Sequence, residues 1–139
     1  MDQRVIKFIS KHHVLTLATS HNNLPYCANA FFAYDATRNR FIFTSDNTTR
    51  HGGEMVQNPS VAASIVWETK LVGKIQGLQL TGKITSADQE DKECYIRKFP
   101  YTALAELTLW AIEPDFIKFT DNTLGFGKKL IWSAEYLKR

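Results

Sequence analysis

"VLTLATSHNNLPYCANAFFAYDATRNRFIFTSD", Val14–Asp46, carries three runs of β-branched and aromatic residues broken by two clusters of turn formers. "VLTLATS" and "PYCANAFFAYD" flank the turn-rich "HNNLP", and "DATRN" leads into "RFIFTSD". This pattern predicts a local, antiparallel meander of three strands.

Upstream, Val5, Ile6, Phe8 and Ile9 recur at helical spacing within Asp2–Lys11, which predicts a short amphipathic helix. Downstream, a second short helix ends near Asn58, because Pro59 disfavours helical geometry in the residue before it. "SVAASIVWE" and "VGKIQGLQLTGKITSA" then read as strands. A surface helix over Asp88–Phe99 has acidic and amide residues in its first turn and Arg97 and Lys98 in its last, as the helix dipole favours, with Pro100 as its stop. "TLWAIEP", "DFIKFTDN" and "KLIWSAEYL" complete the chain as further strands. About seven strands, three short helices and short connections predict a mainly β fold: a closed antiparallel barrel in one domain over residues 1–139, not a βαβ sheet.

The strand "SVAASIVW" adds an expectation about assembly. Val61, Ala63, Ile65 and Trp67 share one face while Ala62, Ser64 and Val66 share the other, so neither face is polar. A small barrel wall that is apolar on both sides requires an external cover, and a second copy is the simplest one. A homodimer is therefore expected.

With 139 residues, 44% hydrophobic and 22% charged, the chain has the composition of an ordinary folded protein, long enough to bury roughly two thirds of its unfolded surface. The N-terminus lacks the apolar run of a signal peptide and nothing later reaches membrane-spanning length, so a cytoplasmic protein without a membrane partner is expected. Cys27 and Cys94 lack a second ligand at metal spacing and read as plain thiols. The adjacent His12 and His13 are not a metal pair. A formal charge of +3 is spread along the chain, which favours small anionic ligands at least as much as nucleic acid, and no nucleic-acid partner is expected.

Two stretches carry the chemistry. In "TTRHGGEM", Thr48–Met55, Thr48 and Thr49 are followed three residues later by His51 and Gly52, so no Glu or Gln completes a capping box and helix-start N–H groups remain available. Arg50 adds a planar fork suited to phosphate oxygens, and Gly52 and Gly53 permit close approach. The plainer alternative is that Thr48 caps the helix and Arg50 is a solvated charge. In "GKIQGLQLTGKI", Leu78, Leu80 and Ile84 face the barrel interior while Gln79 and Thr81 face outward beside Gly77. Gln79 both donates and accepts, which suits the edge of a heteroaromatic ring. Gly77 and Gly82 weaken a strand and are tolerable where something packs closely on its surface. "NTLGFGKK" is not a phosphate loop, since its first glycine is missing and Lys129 stands where Ser or Thr is required.

"TTRH", "QNPSVAASI", "IQGLQLTG" and "FTDNTLGFGKKLIW", in this order, resemble the pyridoxamine 5′-phosphate oxidase-like FMN-binding split barrels over nearly the whole chain, and within them the small YhbP-like bacterial branch. The resemblance implies an antiparallel split β-barrel of Greek-key type, dimeric, with FMN sites at the subunit interface. Thr49, Arg50 and His51, with Thr44 and Ser45 before them, match the family's phosphate-holding positions. Gln79 matches the glutamine that faces the flavin's pyrimidine edge. Asn29 lies on the second strand, from which the family also contacts its cofactor, and Lys128 and Trp132 are similar to the residues brought by the partner chain. The departures exclude pyridoxamine 5′-phosphate as the expected substrate: His51 replaces a lysine, "YCANAFF" lacks the phosphate-binding arginine, and the "TLGFGKKLIW" region supplies only lysines. The expected function is an FMN-dependent oxidoreductase acting on another small molecule. The alternatives are a flavin- or anion-binding protein without turnover and, as a minor reading, a haem-binding barrel.

Overall fold

The computed structural model describes residues 1–125 and 127–135. Strands β1 (Val14–His21), β2 (Leu24–Asp35) and β3 (Arg40–Thr44) form the expected meander. Asn22 and Asn23 both adopt positive φ, 53° and 62°, as a two-residue hairpin turn demands, and they set the register from His21 opposite Leu24 to Val14 opposite Phe31. Asn39, φ 53°, performs the second turn.

Helix α2 (Arg50–Gln57) then carries the chain across to β4 (Ser60–Trp67), which pairs antiparallel with β1. A fourth strand returning beside the first is the Greek-key connection. β5 (Gln76–Ser86) pairs with β4, and β6 (Leu109–Asp121) pairs with β5 and, through Leu109–Ile112, with β3. The circuit β1-β2-β3-β6-β5-β4 is thereby closed. β7 (Lys129–Ser133) pairs with Phe116–Thr120 of β6, so β6 is shared between β3 along its first part and β7 along its last. The fold is a split barrel. The ends of the expected last strand, Tyr136 and Leu137, lie outside the described residues.

Leu15, Leu17, Phe32, Phe41, Phe43, Ile65, Leu78, Leu80, Ile117 and Phe119 fill the interior. Helix α1 (Gln3–Lys11), capped by Asp2, covers one end with the Phe8 ring 4.9 Å from that of Phe119. Met55 of α2 enters the core from the other end, where Thr19 near the end of β1 bonds to Glu54. No helix among the described residues is long and apolar enough to cross a membrane. Cys27 is an exposed free thiol and Cys94 a buried one.

Two expectations are corrected. "TLWAIEP" and "DFIKFTDN" form one strand, because the register between β5 and β6 slips by one residue after Thr81 and leaves Asp115 as a bulge. Pro114, which has no N–H to donate, is accommodated beside that bulge. Gly82 is needed there for the backbone itself: a Cβ would lie 2.4 Å from the carbonyl oxygen of Glu113. Residues Val72–Lys74 form a single 3₁₀ turn, so β5 begins only at Gln76.

Helix α3 (Gln89–Lys98) is fastened to the outside of β2 and β3. Asp88 and Asp91 form a reciprocal capping box at its start. The Asp91 carboxylate, wholly buried, accepts from Arg38 at 2.8 Å and from Arg40 at 2.7 and 2.9 Å. Arg38 also reaches Asp35 and Asp88. Burial pushes the Asp35 carboxyl up, but the bonds from Arg38 outweigh it and the net shift is downward. Asp88 is held low chiefly by its side-chain bond from Arg38. Carboxyls held below the ordinary 3.8 supply stability that is present at neutral pH and lost as the pH falls through their lowered values.

Removing the shared carboxylate leaves the largely buried Arg40 with Glu113 alone and takes from Arg38 the one wholly buried carboxylate among its four. Asp91→Ala is expected to cost about 3–5 kcal/mol in urea unfolding at pH 7. A loss under about 1 kcal/mol would show that water replaces the carboxylate at no cost.

Candidate functional site

β3 ends at Thr44, and the next residue is held from both sides by the strand it pairs with. The Ser45 N–H donates to Thr108 C=O at 3.1 Å, and the indole Nε1 of Trp110 donates to Ser45 C=O at 2.9 Å. These bonds fix the buried Ser45 hydroxyl against the start of α2. Its Oγ lies 2.5 Å from Nε2 of His51 and 3.3 Å from Oγ1 of Thr49. Thr44 is not free, because its hydroxyl donates to Thr108 C=O.

Thr49, not Thr48, is the cap. Its Oγ1 accepts the Gly52 N–H at 3.1 Å and donates to Asp46 C=O at 2.6 Å. This close turn explains Gly52, whose Cβ would lie 2.2 Å from the Asp46 carbonyl oxygen. Gly53 has no such reason, since its nearest neighbour would stand 3.8 Å away. The helix start thus has one N–H satisfied by Thr49, while those of Arg50 and His51 have no protein acceptor among the described residues.

Arg50 is a held side chain with an exposed tip. Its Nε donates to Glu54 at 3.1 Å, one turn on, and its guanidinium carbon sits 4.3 Å from the centroid of the Tyr26 ring. Glu54 also accepts from Thr19 at 2.6 Å, and this bond, more than Arg50, keeps its carboxyl below the ordinary range. Burial pulls the His51 imidazole below the ordinary 6.5, with Glu54 opposing.

A second set of residues lies on the outer wall. The strand registers align Asn29 (β2), Thr16 (β1), Ser64 (β4), Gln79 (β5) and Lys118 (β6) in one row across five strands. Asn29 Oδ1 accepts from Thr16 at 2.8 Å. Thr16, Ser64, Gln79 and Lys118 of the row line a shallow groove of about 320 Å³ together with Ala18, Ala62, Phe116, Cys27 and Thr81. A neighbouring groove of about 370 Å³ shares Ala18, Ala62 and Thr81 and extends to Ser20, Pro25 and Lys83. A Cβ at Gly77 would make only ordinary contacts, 3.9 Å from Gln79 Nε2 and from the Ile65 carbonyl oxygen.

The structure therefore brings Thr44, Ser45, Thr49, Arg50 and His51 together at the end of the barrel, and Asn29 and Gln79 together on its wall. Lys128 lies in the connection between β6 and β7, its N–H bonded to Gly125 C=O. Trp132 pairs with Ile117 and packs on the core of its own chain near Val5 and Leu130. Neither joins the Ser45–His51 cluster within one chain. Tyr26, Thr19, Glu54, Thr16, Ser64 and Lys118 were not singled out by sequence. Only Glu54 had a signal, its i+4 spacing from Arg50; the others depend on strand register.

The family model described as pyridoxamine 5′-phosphate oxidase matches residues 1–120. A UPF0306 protein of Klebsiella pneumoniae (strain 342) is 42% identical over 133 residues, covering 93% of this chain and 90% of that protein. The UPF0306 protein YhbP of Escherichia coli O157:H7 is 36% identical over 132 residues, 92% and 90% of the two chains. Among solved structures, a haem-binding protein from Mycobacterium smegmatis superposes with a TM-score of 0.72 at 12% identity, over 90% of this chain and 54% of that one. An FAD-binding protein from Mesorhizobium loti does so with 0.69 at 14%, over 84% and 90%. At such identities the structural likeness speaks for the fold alone.

The two glycines of the helix start separate backbone need from ligand access. Gly52→Ala is expected to lower stability by about 1–3 kcal/mol through overpacking against Asp46. Gly53→Ala is expected to be neutral or to stabilise by up to about 1 kcal/mol. Equal thermal unfolding of the two variants would contradict the close turn.

Proposed function

This chain belongs to the pyridoxamine 5′-phosphate oxidase family, within its UPF0306 group, and from that premise we propose that it binds FMN and acts as a flavin-dependent oxidoreductase on a small molecule other than pyridoxamine 5′-phosphate. The observation that carries the reading is the five-strand polar row beside a groove lined by Ala18, Ala62 and Phe116. A flat ring would rest on Ala18 and Ala62 beside Phe116, and Gln79 and Ser64 in the same lining both donate and accept. The phosphate would be held by the unpaired N–H groups of Arg50 and His51 and by the exposed Arg50 side chain, which Tyr26 and Glu54 hold in place.

The donor set fits a flavin without a protein acid or base. Bound FMN would supply the redox chemistry, and the protein would orient it and exclude water from one face. The same wall favours a second copy of the chain as its cover: Val14, Phe31, Val66 and Ile131 are 44–64% exposed. In that dimer Lys128 would come from the partner, while Trp132, seated on its own core, would support the wall from behind. The Mesorhizobium loti protein, named as FAD-binding, lends the flavin reading a structural parallel. The Mycobacterium smegmatis protein lends one to haem, but no histidine lines either outer groove.

Arg50→Ala is expected to weaken FMN binding by about 1.5–3 kcal/mol, a charge-assisted hydrogen bond, or roughly ten- to a hundredfold in Kd. Gln79→Ala is expected to cost about 0.5–1.5 kcal/mol. Quenching of FMN fluorescence measures both. Unchanged affinity in Arg50→Ala would remove that residue from the site, and absence of binding by the wild-type protein would overturn the flavin reading.

A further inference from the structure

We propose that Ser45 and His51 form a proton-operated element of the anion cradle: the free protein holds the imidazole neutral, and capture of a dianionic phosphate group draws a proton onto His51 and reverses the hydrogen-bond chain through Ser45. The inference rests on the reading of the helix start as a phosphate site.

Ser45 has one hydroxyl proton and two neighbours, His51 Nε2 at 2.5 Å and Thr49 Oγ1 at 3.3 Å. Thr49 commits its own proton to Asp46 C=O and already accepts the Gly52 N–H, so it meets Ser45 only as an acceptor. When Nε2 is bare, Ser45 donates to it along the short contact and leaves Thr49 aside. An imidazolium presents Nε2–H instead. Ser45 then accepts from His51 and turns its proton to Thr49. Both arrangements keep the Ser45–His51 bond and differ in whether the Ser45 proton serves His51 or Thr49, while the bonds at its N–H and C=O hold the Ser45 backbone in place.

Charge decides which arrangement a ligand selects. Of the charged groups at the helix start, Glu54 on α2 acts on the imidazole directly, Arg50 pairs with Glu54, and Asp46 in the preceding loop accepts the Thr48 N–H; from the barrel, His21 on β1 acts on Glu54, and Tyr26 on β2 lies against Arg50. Glu54 offsets the charge of Arg50 and the Asp46 carboxylate adds a further negative charge, so an incoming dianion meets a cradle with no net positive charge. His51, beside the unpaired N–H groups of the helix start, is the group there able to add one. Burial keeps it neutral beforehand and Glu54 eases its protonation, in agreement with the geometry.

The test is FMN titration between pH 6.5 and 8, where the flavin phosphate is itself largely dianionic, together with ¹⁵N NMR of the His51 imidazole with and without FMN or inorganic phosphate. In the wild-type protein Kd is expected to rise with pH, approaching about tenfold per unit above the free His51 pKa, as uptake of one proton requires. The slope should vanish in His51→Gln, and either anion should move the wild-type imidazole signal to its protonated position. A pH-independent Kd, the same slope in His51→Gln, or an imidazole unmoved by both anions would overturn the proposal. Protonation by phosphate without any FMN binding would overturn the flavin reading and leave the proton-coupled anion site standing.

Discussion

β6 has to serve three neighbours, and the rest of the molecule follows from how it does so. Its Leu109–Ile112 segment closes the barrel against β3, its Phe116–Thr120 segment carries β7, and β5 runs along the opposite side. One straight ribbon does not easily bend to all three. The Asp115 bulge, with Pro114 beside it and Gly82 opposite, bends the strand between the two segments. The split of the barrel is thus the place where one strand changes partner.

The same strand sets the chemistry at the barrel's end. Closure against β3 places Thr108 and Trp110 where they grip Ser45 by its N–H and its C=O, and so hold its hydroxyl against His51 and Thr49. A surface loop would let Ser45 rotate away. On the wall, the registers that close the circuit also align Asn29, Thr16, Ser64, Gln79 and Lys118. The clamp of Asp91 on Arg38 and Arg40 ties α3 to β2 and β3 on the outside. Scaffold and candidate site therefore share their supports.

The meander, the three helices and the outward face of Gln79 were legible in the sequence because each depends on local signals: paired asparagines in turns, Pro59 and Pro100 as stops, and period-two alternation. The continuity of β6 was not, since Pro114 reads locally as a strand end and only the opposing Gly82 shows that a bulge absorbs it. Gly52 and Gly82 were read as room for a ligand, whereas both are required by the chain's own backbone. At the cradle, Arg50 and His51 were visible as residue types and Glu54 by its helical spacing from Arg50, but the Tyr26 ring against Arg50 comes from a distant strand, and the short contact between Ser45 and His51 depends on how the strand end meets the helix start.

The central claim is that the helix start and the outer wall bind one flavin together. Amide NMR of the protein with increasing FMN tests it most directly. The account predicts shifts concentrated at Arg50–Gly53 and along Asn29, Thr16, Ser64 and Gln79, saturating at one concentration for both groups. Shifts centred on the cleft between Asp46, Asp88 and Leu107, or two groups that saturate independently, would contradict it.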